Sequence, residues 1–191
     1  GATRDSEIRA VAAELGAEYR CLGRDDGMVW EDTELRRELI TVIRELGAEL
    51  IFTHWIDDYN SDHSVTGRAV VNAALWANLP SFEPAVPALA DTPRIFHVNP
   101  GDGYGFEPTH FVELDDDTAA EKARIGRLHA SQMGVMKQMS GRDYADQQQD
   151  KDRLQGERMM VRYAEAFRPC LSERRIPWQD VLPGRLDRVS P

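Results

Sequence analysis

Leu50-Ile51-Phe52-Thr53 is a continuous apolar run, and the ten residues after it, His54-Trp55-Ile56-Asp57-Asp58-Tyr59-Asn60-Ser61-Asp62-His63, hold two histidines, three aspartates and an asparagine. Such a run is expected of a strand covered on both faces in a parallel sheet. In open α/β sheets ligands bind beyond the carboxyl ends of the strands, so a ligand-rich segment at this place is a candidate site. Asp62 or Ser61 is placed to cap the next helix, from about 64 to 78, with His63 in its first turn. There the positive helix end favours a neutral imidazole that can donate a lone pair to a metal. Acids ahead of a helix are also ordinary caps. Neither HExxH nor CxxC accompanies them, so spacing alone leaves a structural role open.

Working outward, residues 5–16 read as an amphipathic helix with Ile8, Val11, Ala12 and Leu15 on one face and Gly16 as its stop. A short apolar run (Tyr19, Cys21, Leu22) leads to a turn at Gly23-Arg24-Asp25-Asp26-Gly27. A second helix spans about 33–46 and stops at Gly47. Strands are expected at 94–98 and 110–114. The glycine-rich Gly101-Asp102-Gly103-Tyr104-Gly105 between them lacks the strand-to-helix context of a dinucleotide fingerprint. Residues 117–139 read as one helix, 141–156 as a mobile loop or loose helix, and 157–167 as a last helix. The alternation predicts an α/β, doubly wound, mostly parallel sheet with helices on both faces, one domain over 1–167 and an irregular tail over 168–191. On the 117–139 helix, His129 and Gln132 share a face; such a histidine is more often a core residue than a catalyst.

The 191 residues carry 23 basic and 33 acidic side chains, a formal charge of −10. That excludes a nucleic-acid scaffold, whose footprint would be basic. No apolar run approaches the roughly 18 residues of a membrane span, and no signal peptide is recognisable. Cys21 and Cys170 stand in no metal or redox spacing, which makes a reducing cytoplasm the expected setting. Neither nucleic acid nor membrane is an expected partner, and a homo-oligomer is left open. The chain opens at Gly1 directly on a helical pattern, which reads as a removed tag or a lost N-terminal piece.

Four stretches, in order, resemble the LmbE/PIG-L-type family of zinc-dependent de-N-acetylases. Leu22-Gly23-Arg24-Asp25-Asp26-Gly27 is similar to the family's Leu-Gly-x-x-Asp-Gly loop. Phe52-Thr53-His54 through Asp58-Tyr59-Asn60-Ser61-Asp62-His63 with Thr66 is similar to its Thr-His…Asp-Tyr-His-Pro-Asp-His-x-x-Thr segment. Phe111-Val112-Glu113, Lys122 and His129-Ala130-Ser131-Gln132 resemble its Val-Asp-Ile…Lys…His-x-Ser-Gln element, and Tyr163-Ala164-Glu165-Ala166-Phe167 its Tyr-Ala-Glu-x-Phe. The resemblance implies a Rossmann-like LmbE fold lacking its first strand here. It also implies hydrolysis of the N-acyl (acetyl) group of an amino-sugar conjugate or related small-molecule amide, with zinc or another divalent metal.

Carried over residue by residue, His63 is the metal ligand, Asp62 orients it, and Asn60 contacts the substrate carbonyl. His129 assists leaving-group protonation or substrate binding. Asp26, Asp58 and Gln132 contact substrate, Asp26 with a turn-forming role as its alternative. Two departures weigh against direct transfer. The family's His-Pro-Asp-Asp-Glu, with two metal ligands and a general base, has no match in this sequence, and Asn60 replaces the family's usual histidine. One histidine cannot hold catalytic zinc, which takes three protein ligands. His54, Asp57, Asp58 or Asp62 would have to complete an improvised site. Three readings therefore stand side by side: a hydrolase whose first strand is missing from the given sequence, a catalytically degenerate binding protein, and a different metal or chemistry on the same fold. A site completed by another chain is a further option.

Overall fold

The computed structural model describes residues 2–83, 85–100, 105–171 and, for the backbone, 185–186. The glycine-rich 101–104 and most of the expected tail lie outside the described residues. The elements run α1 (Ala2–Glu14), α2 (Thr33–Glu45), β1 (Leu50–Thr53), α3 (Ser61–Ala77), β2 (Arg94–Val98), β3 (His110–Leu114), α4 (Asp116–Gly126), α5 (Ala130–Ser140), α6 (Tyr144–Glu157), β4 (Tyr163–Pro169) and β5 (Arg185–Leu186). They fall into two compact units. One holds Leu22–His110 and Ala166–Pro183; the other holds Gly1–Cys21, Phe111–Glu165 and Gly184–Pro191. Among the described residues no helix is long and apolar enough to cross a membrane.

In the unit around residues 22–110, β1 and β2 pair in parallel, from Leu50↔Arg94 to Thr53↔His97. On its other side β2 pairs antiparallel with the end of β4, from Phe96↔Pro169 to Val98↔Phe167. The expected α/β class with helices against a sheet forms, but the sheet is mixed. Nor is β1 covered on both faces. Phe52 stays 47% exposed although its ring meets those of Phe96 and Phe167. The core joins Ile40 and Ile43 of α2, Val71, Ala73, Ala74 and Ala77 of α3, Ile95 and Cys170. Alanines along α3 let α2 approach closely, so two short helices bury a continuous apolar seam.

The end of α3 is closed by a residue that periodicity does not reveal. Arg44 of α2 is buried, and among the described residues its hydrogen-bond partners are backbone carbonyls. Its guanidinium donates to the carbonyls of Ala77 at 2.9 Å, Leu79 at 2.7 Å, Glu83 at 2.7 Å and Val86 at 2.9 Å. These include carbonyls that a helix C-terminus leaves unpaired, and the negative helix end favours the cation there.

In the other unit β3 pairs antiparallel with β5, Phe111↔Leu186. Leu114, Ala119 and Tyr163 form a small buried cluster. Two expectations change here. The helix expected over 117–139 is two helices, broken at His129, whose ψ of 56° is not helical. Glu7 of α1 supplies the new start: its carboxylate accepts the Ser131 N–H at 2.8 Å and the Ser131 hydroxyl at 2.7 Å. The polar stretch expected as a loop or loose helix is α6, capped by Asp143 through Ala145 N–H at 2.8 Å. The helix expected over 157–167 is instead a turn and strand β4. Met160 takes a left-handed φ of 59°, which stops a helix, and Tyr163-Ala164-Glu165-Ala166-Phe167 continues extended.

Candidate metal centre

The chain leaves β1 at Thr53 and turns through His54 and Trp55 before entering α3. Three contacts hold this turn. His97, the register partner of Thr53, is 2% exposed and places Nδ1 2.7 Å from the His54 carbonyl. A carbonyl only accepts, so Nδ1 carries the proton. Burial pushes the His97 imidazole below its usual pKa, and this hydrogen bond pulls it partly back. Trp55 packs edge-on to the rings of His97 and Phe106. Gly67 of α3 lies against the same turn; a Cβ built there would stand 2.5 Å from the His54 carbonyl oxygen. Only glycine allows this approach.

Asp58 is the hub of the next few residues. Its Oδ1 accepts the Asn60 N–H at 2.9 Å, and its carbonyl accepts the Ser64 hydroxyl at 2.9 Å. Its Oδ2 lies 3.2 Å from His63 Nδ1, with the Asp58 side chain 1% exposed and that of His63 37% exposed. The His54 ring stacks on His63, 4.2 Å between centroids and 3° from parallel. Each of His54, Asp58 and His63 offers one ligand atom, and these atoms lie within 4.8 Å of one another.

Two imidazoles and a carboxylate suit a divalent ion such as zinc in type and number, with a fourth position open. The spacing bears on the fit. Two ligands about 2.0–2.1 Å from a tetrahedral ion stand roughly 3.3 Å apart. His63 Nδ1 and Asp58 Oδ2, 3.2 Å apart, already have that separation, and the ligand atoms of all three residues lie within 4.8 Å of one another. Burial, and then the neighbouring His63, push the His54 imidazole below its usual pKa, with Asp58 opposing. His54 is therefore neutral near pH 7, as a ligand must be.

The remaining expected site residues fall as follows. Asn60, not Asp62 or Ser61, is the N-cap of α3: its Oδ1 accepts the Asp62 N–H at 2.9 Å, and α3 starts at Ser61. Its Nδ2 has no partner among the described residues. Asp62 turns away from His63; its carboxylate accepts the N–H of Gly27 at 2.6 Å and of Val29 at 3.3 Å. The Asp-Gly turn bearing exposed Asp26 is thereby tied to the start of α3. Asp57 is exposed and paired with Arg68 at 2.8 Å. His129 and Gln132 belong to the other unit. There His129 precedes α5 without a side-chain capping bond, and Gln132 Oε1 accepts from Arg4. His97 and Gly67 were not legible as site residues. His97 did carry a usable signal, since it lies near the carboxyl end of a strand.

With this geometry in view, comparison with known proteins gives the following. A family model described as PIG-L: GlcNAc-PI de-N-acetylase matches residues 1–74, the stretch that carries His54, Asp58 and His63. Among solved structures, a conserved protein of Thermus thermophilus is 24% identical with a TM-score of 0.74, over 94% of this chain and 78% of that one. The N,N'-diacetylchitobiose deacetylase of Pyrococcus horikoshii is 21% identical with a TM-score of 0.74, over 88% of this chain and 63% of that one. The 4-carboxy-2-hydroxymuconate hydratase of Pseudomonas putida is 19% identical with a TM-score of 0.73, over 94% and 75%. The family resemblance is thus met over residues 1–74, and the α/β fold is shared with these structures.

Proposed function

We propose that this protein is a metal-dependent hydrolase that removes an N-acyl group, acetyl above all, from an amino-sugar conjugate or related small-molecule amide. The observation that carries the reading is the convergence of His54, Asp58 and His63 just beyond the end of β1, inside the stretch that matches the de-N-acetylase family. These three residues would hold zinc or another divalent ion, which when bound supplies a water made acidic enough to act near neutral pH.

The chain's own groups set the rest. Asp58 Oδ2 and His63 Nδ1, 3.2 Å apart, would bind the ion side by side, and His97 holds the carbonyl of the turn that carries His54. Asn60 is locked at Oδ1 by the first turn of α3, which leaves Nδ2 to donate to a substrate carbonyl as its oxygen gains charge. A neutral amide does this more weakly than an imidazolium would. Asp26, exposed on the turn that Asp62 anchors, would accept from a sugar hydroxyl.

The test is acetate release from N,N'-diacetylchitobiose by zinc-loaded protein. Turnover that is lost in His63→Ala and weakened about a hundredfold in Asn60→Ala supports the reading. Turnover unchanged in both variants sinks the site assignment. One observation favours a second reading, addition of water to a carbon–carbon double bond: a hydratase shares this fold as closely as the deacetylase does. Turnover of an unsaturated carboxylic acid without acetate release would select it.

A further inference from the structure

Beside the centre, in the same compact unit, stands a cation that the hydrolysis itself does not use. Arg168 lies on β4 opposite His97, which in turn lies opposite Thr53, the last residue of β1. Register partners share a face of a sheet, so the Arg168 side chain leaves it on the side of His97. Trp55, which directly follows the candidate ligand His54, sets its ring edge-on to His97 at 5.3 Å and to Phe106 at 5.4 Å between centroids. The Arg168 guanidinium lies over that indole, 5.0 Å from the ring centroid. It is near enough for its charge to disfavour a positive charge on the His97 imidazole. One buried indole thus separates Arg168 from a candidate metal ligand.

Other arginines of this unit are neutralised: Arg24, Arg36, Arg37 and Arg68 each pair with a carboxylate. Arg168 meets no carboxylate among the described residues, and its hydrogen bond there runs from Nη1 to the Gly105 carbonyl at 3.4 Å. Nε and Nη2, the edge that grips a carboxylate with two parallel bonds, have no partner among the described residues. The indole beneath is itself held by two rings and fixes the plane of the fork, so little freedom is lost when an anion docks. Burial of Trp55 and His97 lowers the local dielectric, which strengthens such a pair. The chain carries a formal charge of −10, and a dianion meets about twice the long-range repulsion of a single carboxylate. A planar monoanion therefore suits this edge better than a phosphate does.

We infer that Arg168, laid flat on Trp55, is an anion subsite of the candidate centre, that it grips a carboxylate carried by the substrate, and that the compounds hydrolysed are acylated amines bearing a carboxylate. The subsite stands on the placement of Arg168. The reaction it serves rests on the hydrolase reading, to which it adds a substrate class.

The test is binding of N-acetylmuramic acid, and of its methyl ester, in which the carboxylate is masked, to the zinc-loaded full chain near pH 7. The acid is expected to bind about tenfold tighter than the ester. Arg168→Met should erase that preference with zinc still bound. Arg168→Lys, which keeps the charge but not the fork, should retain a preference of about threefold. Equal binding of acid and ester by the wild type, even with acetate released from both, overturns the inference and leaves the hydrolase reading. A preference that survives Arg168→Met also overturns it, because the carboxylate then sits on the metal. N-Acetylglucosamine 6-phosphate is the phosphate probe: if it binds as tightly as the acid and is lost in Arg168→Met, the carboxylate assignment falls. If the acid binds through Arg168 but releases no acetate, the hydrolase reading fails and the anion subsite stands.

Discussion

At the scale of single residues, the candidate centre depends on how closely α3 can approach the turn after β1, and Gly67 sets that distance. Gly67→Ala places a methyl group 2.5 Å from the His54 carbonyl, so backbone must move. The shift falls on the turn that carries His54 and Asp58. The expected outcome is a loss of zinc affinity of at least about tenfold, with destabilisation on the order of 1–3 kcal/mol, read by metal titration and thermal melting. Undiminished affinity would show that the close approach does not position the ligands. His63 and Asp58 could be singled out from sequence because they follow a strand and flank a helix start. The partner of His63 could not. Asp62, its chain neighbour, turns its carboxylate to Gly27 and Val29, and Asp58, five residues back, reaches Nδ1 instead. The α3 cap at Asn60 decides that geometry, and three adjacent candidates of similar capping strength cannot be ranked by sequence.

At the scale of elements, α5 owes its start to a tertiary contact, and this makes it sensitive to acid. The hydrogen bonds from the Ser131 hydroxyl and N–H hold the Glu7 carboxyl below its usual pKa. A carboxyl whose pKa is lower folded than unfolded stabilises the structure above the unfolded value, near 4.5, and that contribution is lost as pH falls through the folded value. The Ser131 amide should therefore exchange faster with solvent, relative to the amides of α4, as pH drops below about 4.5. Glu7→Gln should abolish this dependence; a variant that keeps it would contradict the assigned cap. The same contact explains why 117–139 reads as one helix from sequence: the break at His129 is selected by Glu7, more than 120 positions away. At the other misread, Gly156 packs under the carbonyl of Val161 and Met160 turns left-handed. A short apolar run cannot itself choose between helix and strand, and here the geometry of the turn decides for β4. The ranges of α2 and β1 are legible because their apolar residues are contiguous or recur at local spacing, whereas α3 begins three residues earlier than its apolar pattern, at the Asn60 cap.

At the scale of the whole molecule, a formal charge of −10 and the acidic surroundings of the site act together. Long-range repulsion disfavours a dianionic substrate more than one with a single carboxylate before any contact forms, so discrimination between them is expected to depend on ionic strength. The α/β class was legible in the alternation of elements. The mixed pairing was not, because strand direction is a property of connections between distant segments. The account rests most heavily on one claim, that His54, Asp58 and His63 together hold a divalent ion. Equilibrium dialysis against zinc near pH 7, followed by elemental analysis of the protein and of its His54→Ala and His63→Ala variants, tests it directly. The account predicts one bound zinc per chain in the wild type and its loss in both variants. A wild-type protein that takes up no zinc, or variants that keep the full complement, would contradict it.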